Sequence, residues 1–148
     1  MSPETIQELE KKKRYLKRYR RNKAQLERLE KRLAALDDRL YSLRSPSMSG
    51  MPRGGDPVTV ADLVADKQEL EDRINRLSTK GRRIKAEILE IIDNLDLGKD
   101  TSKVSEVLES FLIDCKDFDE IAARTGYTER HIIRLYSSGV KAMSVNCQ

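Results

Sequence analysis

Two stretches of the sequence carry residues whose type and spacing point to chemistry. The first is DFDEIAARTGYTERHIIRLYSSGVKAM, positions 117–143. A helix-turn-helix needs a small residue where its helices approach, a residue tolerant of positive φ in the turn, and buried aliphatics at set offsets afterwards. Ala122 meets the first requirement, Gly126 the second, and Ile132 and Leu135 the third. Thr128 then stands as the N-cap of a second helix running from Glu129 to about Met143. Its polar residues are Thr128, Glu129, Arg130, His131, Arg134, Ser137, Ser138 and Lys141. Arg130 and Arg134, one turn apart, reach guanine edges or phosphates in a major groove. Glu129 accepts from a cytosine amino group or complements the helix dipole, and Ser137 and Lys141 lie far enough along to meet phosphate. His131 is the only histidine, so it lacks partners for catalysis or metal binding and is read as a DNA-facing donor or as a partly exposed side chain.

The second stretch is KKKRYLKRYRRNK at 11–23, where nine of thirteen residues are cationic. Lys11, Lys12, Lys13, Arg14, Lys17, Arg18, Arg20 and Arg21 are candidate phosphate contacts, with a solvated helix face as the alternative. Charge is uneven along the chain. Residues 1–44 hold 14 Lys and Arg against 7 Asp and Glu, whereas residues 99–148 hold 7 against 8.

The elements that must position these residues are all expected to be helices. Leu26, Leu29, Leu33, Leu36, Leu40 and Leu43 step by three and four, the seam of a heptad repeat. Running the register backward places Tyr15, Tyr19 and Asn22 on the same stripe, so one helix is expected from near Pro3, capped by Ser2. The stretch 44–57 holds three Pro, three Gly and three Ser and reads as a connecting loop. Thr59 and Asp62 resemble a capping box for a second long helix. Its seam is Leu63, Leu70, Ile74, Leu77, Ile84, Ile88, Ile91 and Leu95, with faults at Lys67 and Gly81. Gly98 is expected as its C-terminal cap.

The expected architecture is all-α. Residues 1–97, with a loop at 45–58, form a long antiparallel helical hairpin or coiled coil that drives homo-oligomerisation, closing within or between chains. Residues 99–148 form a small three-helix DNA-binding domain. Val104, Val107, Leu108, Phe111 and Leu112 face its first helix, Phe118, Ile121 and Ala122 its second, and Ile132, Ile133, Leu135, Tyr136, Val140 and Met143 its third.

EIAARTGYTERHIIRLYSSGVKAM resembles region four of bacterial sigma factors. The whole layout, including the SGMPRGGDP loop, is similar to small phage and prophage late transcriptional regulators of the ArpU/RinA type. The resemblance implies DNA binding through Thr128, Arg130, His131 and Arg134, with double-stranded DNA as partner; RNA polymerase is a further candidate partner. Phage packaging proteins of the small terminase kind also join such modules to oligomerising helices; a ring of eight or more subunits would mark that reading.

Other classes are set aside. With one His, no Gly-rich nucleotide loop and no acidic cluster beside a predicted strand, no enzyme, cofactor or metal site is expected. Asp37, Asp38, Asp117, Asp119 and Glu120 read as solvated or helix-terminal acids. No apolar run reaches the roughly 18–20 residues of a membrane span, and the first residues show no secretory signal. Two cysteines, Cys115 and Cys147, predict reduced thiols in a cytoplasmic chain.

Overall fold

The computed structural model describes residues 3–44 and 59–144. They form six α-helices and one 3-10 turn with no strand, so the chain is all-α over the described residues. The loop 45–58, the Ser2 cap and Cys147 lie outside them.

Helix α1 spans Pro3–Leu16 and α2 spans Arg18–Arg44. The single helix expected from Pro3 is thus divided at Lys17. Hydrogen bonds of helical spacing persist on both sides: the Lys17 N–H donates to Lys13 O at 3.1 Å and the Arg21 N–H to Lys17 O at 3.0 Å. Helix α3 spans Val60–Asp93. The Thr59 N–H donates to Asp62 Oδ2 at 3.3 Å and the Asp62 N–H to Thr59 Oγ1 at 3.1 Å, which closes the expected box with Asp in place of Glu.

The far end of α3 corrects an expectation. Gly98 is not its C-cap, because the helix stops at Asp93, where Leu95 N–H bonds back to Ile92 O and Leu95 turns into the core. Gly98, at φ +69°, instead opens the 3-10 turn Gly98–Asp100. Asp96 Oδ1 accepts its N–H at 3.1 Å and Thr101 Oγ1 accepts the Leu97 N–H at 2.7 Å. Helices α4 (Thr101–Leu112), α5 (Phe118–Thr125) and α6 (Glu129–Ala142) follow.

The chain divides into two compact units, Met1–Arg21 with Gly81–Gln148 and Asn22–Lys80, rather than between 97 and 99 as expected. The reason is burial. Leu16 of α1 and Ile84, Ile88 and Ile92 of α3 join one core with Val104, Leu108, Leu112, Ile121, Ile132 and Val140. A heptad stripe looks the same whether it meets one helix or a globular core, so spacing alone did not mark this boundary.

In that first unit, α6 packs against α1, α4 and α5. Phe111 stacks on Phe118 with ring centroids 4.3 Å apart, and Tyr136 meets Phe111 edge-on at 4.9 Å. Where α6 passes α4 stands Gly139. A Cβ there would come 2.6 Å from Val104 Cγ1 and 2.7 Å from Leu108 Cδ1, so a larger residue requires those side chains to shift.

In the second unit the seam is thinner. Leu29, Leu40 and Leu63 are buried, whereas Leu26, Leu33, Leu36, Leu70, Ile74 and Leu77 are half-buried. The start of α2 meets the middle of α3 and its later part meets the start of α3: the Asn22 amide donates to Leu77 O at 3.0 Å, and Lys67 pairs with Asp37 at 2.7 Å. The seam fault at Lys67 is therefore an ion pair.

Candidate nucleic-acid interface

The site is built from the caps outward. Asp117 and Glu120 form a reciprocal box at the start of α5, with the Asp117 N–H 3.5 Å from Glu120 Oε1. Helix α5 ends in Gly126, which adopts φ 83° and ψ 0° and donates its N–H to Ala122 O at 2.9 Å. Space around Gly126 is open, so its requirement is purely a backbone one: a Cβ in the left-handed region costs roughly 1–2 kcal/mol. Thr128 then takes an extended conformation, and its Oγ1 accepts the His131 N–H at 3.2 Å, capping α6.

The cap and turn aim the polar side of α6 outward. Thr128, Glu129, Arg130, Arg134, Ser138 and Lys141 are exposed, whereas His131 and Ser137 are half-buried. At about 100° per residue, Arg130, Arg134 and Lys141 fall within about 40° of one another. They lie opposite Ile132, Tyr136 and Gly139, which are buried along with Val140 beside them. Neither arginine has a hydrogen-bond or ion-pair partner among the described residues. The His131 ring meets the Tyr127 ring edge-on at 4.9 Å. Together Gly126, Tyr127, Thr128, Arg130, His131 and Arg134 line a shallow open groove.

One residue of this helix is corrected. The sequence places Ile133 on the buried face with Ile132, but 41% of its surface is exposed. The buried stripe runs through Ile132, Tyr136 and Val140, and Ile133 lies at its margin, about 100° around the helix from Ile132, 60° from Tyr136 and 20° from Val140. Tyr127, 39% exposed, also stands on this surface, and no spacing signal in the sequence marked it.

The eight candidate phosphate contacts of the N-terminal block divide into two groups. Lys11, Arg14 and Arg21 are exposed and have no partner among the described residues. The other five are half-buried and engaged. Lys12 Nζ donates to Lys141 O at 3.3 Å, reaching one of the free carbonyls that end α6. Lys13 lies 3.8 Å from Glu10, and Lys17 sits over the Phe111 ring. Arg18 pairs with Glu87 at 2.8 Å and stacks over Tyr15. Arg20 donates to Phe111 O at 2.7 Å, Lys116 O at 3.1 Å and Asp117 Oδ1 at 3.0 Å, and lies over the Phe111 ring.

Two further features belong to the same unit. The Tyr136 hydroxyl is buried without a hydrogen-bond partner among the described residues. Burial pushes its pKa up from 10.0 to about 12, partly offset by the charge of Arg20 and reinforced by that of Glu10. The carboxylates of Asp117, Asp119 and Glu120 lie within 4.8 Å of one another at the exposed start of α5. Helix capping and the Arg20 pair account for Asp117 and Glu120 there. Among the described residues, no helix is long and apolar enough to cross a membrane. Comparison with protein-family models, with curated proteins and with solved structures gives no match to this chain.

Proposed function

We propose that this chain is a sequence-specific DNA-binding transcription regulator of phage or prophage type. In this reading α5, the Gly126 turn and α6 are a helix-turn-helix, and α6 is the recognition helix. The observation that carries it is the unpartnered face of Arg130, Arg134 and Lys141, held opposite a fully buried stripe and aimed by the Thr128 cap. A rigid helix presenting free guanidinium groups at one-turn spacing matches guanine edges in a major groove, with Ser137 and Lys141 left for the flanking phosphates.

Electrostatics supports the same reading. Residues 99–148 alone carry a slight negative excess, a poor surface for a polyanion. The compact unit that contains α6 also contains α1, and it holds 18 Lys and Arg against 15 Asp and Glu. Lys11, Arg14 and Arg21 are the exposed members of the N-terminal block, placed to meet phosphate. The pairs Asn22–Leu77 and Asp37–Lys67 favour an antiparallel hairpin of α2 and α3. Leu36 and Leu70 line an open groove there beside Arg32, Arg39, Arg73, Asp66 and Glu69, a self-complementary surface for a second copy. A dimer would present two recognition helices and raise the effective concentration of the second.

Selection of bound duplexes from genomic fragments with the full chain tests the proposal. A defined site is expected, and Arg130→Ala and Arg134→Ala should each weaken it by about 1–3 kcal/mol while relaxing the preference for particular bases. Uniform weakening across sequences would reduce these residues to phosphate contacts. No duplex preference at any salt concentration between about 50 and 200 mM would sink the reading, and a closed ring of eight or more subunits would turn it toward packaging.

A further inference from the structure

Ile133 stands out from the other aliphatics of α6. Ile132 and Val140 are fully buried and Leu135 packs against the core, whereas Ile133 keeps 41% of its surface exposed. A single exposed aliphatic is ordinary on a protein surface; the neighbours of this one are not. Arg130 lies one turn before it and Ser137 one turn after, about 60° and 40° around the helix. Around the helix the order runs Glu129, Ile133, Ser137, Arg130, Arg134, so Ile133 stands at one edge of the polar face with both arginines, exposed and unpartnered among the described residues, on the same side of it.

A ligand fitting this strip must set a small apolar group beside the negative or acceptor groups that the arginines take. The major groove of duplex DNA has that pattern, with phosphates along its rims and the C5-methyl group of thymine projecting from its floor. The side chain of Ile133 has no donor or acceptor. Facing cytosine, guanine or adenine, it would cover a polar base edge without replacing the hydrogen bonds that edge makes to water. Only thymine offers it an apolar partner.

We infer that Ile133 is a specificity-determining residue, packing on the C5-methyl group of a thymine beside the base read by Arg130. The inference rests on the DNA-binding reading above and adds to it a preference that the polar residues of α6 do not supply. Arg130 selects a guanine by hydrogen bonding, and Ile133 selects its neighbour by shape and desolvation.

The test uses the full chain and the duplex it selects. Each thymine of the site is replaced singly by deoxyuridine, which lacks only the methyl group. For the wild-type chain one replacement should weaken binding about three- to fivefold, the scale of burying one methyl group. Ile133→Ala should bind the thymine and deoxyuridine duplexes equally at that position and keep its preference for guanine. Because Ile133 is exposed, the variant should retain wild-type helicity, and Ile133→Val should keep part of the methyl effect. A methyl effect that is absent from the wild type, or unchanged in Ile133→Ala, overturns the contact while leaving DNA binding intact. Loss of RNA polymerase binding in Ile133→Ala, with duplex selection unchanged, also overturns it and gives the strip to a protein partner. A wild-type chain that selects no duplex removes both the contact and the DNA-binding reading.

Discussion

Lys11 to Arg21 and Arg130 to Lys141 both set cations at helical spacing, and the denser block is the less available of the two. Of its eight cations, five are directed onto the protein's own carbonyls, carboxylates or rings, and Arg20 alone makes three hydrogen bonds. On α6, Arg130 and Arg134 have no such partners among the described residues. A cation beside free carbonyls and an aromatic ring becomes part of the packing, while one opposite a buried stripe stays free for a ligand. Counting positive charges therefore overstates the first surface and understates the second.

The largest expected effect that tests this contrast is on stability. Arg20→Ala removes the hydrogen bonds to Phe111 O, Lys116 O and Asp117 and the stacking on Phe111. It should cost about 2–3 kcal/mol in urea unfolding. Arg14→Ala, on the exposed side, should stay within about 0.5 kcal/mol; equal losses would erase the distinction.

Next comes the salt dependence of DNA binding. Changing Lys11, Arg14 and Arg21 to Gln should flatten the log–log slope by about 0.9 for each phosphate no longer neutralised. Arg18→Gln, which breaks the Glu87 pair instead, should leave the slope as it was. The opposite pattern would reassign the roles within the block.

The smallest effect concerns Tyr136. Its hydroxyl is buried without a hydrogen-bond partner among the described residues, so Tyr136→Phe should be neutral or stabilising by up to about 1 kcal/mol. Folding holds the phenol neutral to about pH 12 against 10.0 for its ordinary value. Its contribution is thus complete below pH 10 and lost as pH rises from about 10 to 12. The phenylalanine variant should lack that part of the alkaline decline. Arg20→Gln should move the Tyr136 ionisation higher still, because the Arg20 charge lowers it.

Much of the local structure was legible in the residues. The Thr59–Asp62 box, the left-handed Gly126 and the Thr128 cap each depend on side chains and backbone within four positions. Gly98 shows the limit of such signals. A glycine after a helix suggests a cap, but burial of Leu95 ended α3 earlier and left Gly98 to the next turn. Ile132 and Ile133 show it again, since a pair of adjacent isoleucines cannot say which of them faces inward.

What the amino-acid order settled, then, was the helical class, the caps at Thr59 and Thr128 and the turn before α6, because these follow from hydrogen bonds between near neighbours. Tertiary packing decided that α1 shares a core with α6, that Arg20 is spent on Phe111 and Lys116, and that Ile133 is left facing solvent. Those outcomes depend on residues some ninety positions apart, and no short-range pattern encodes which of two similar stripes or cations will find a partner at that distance.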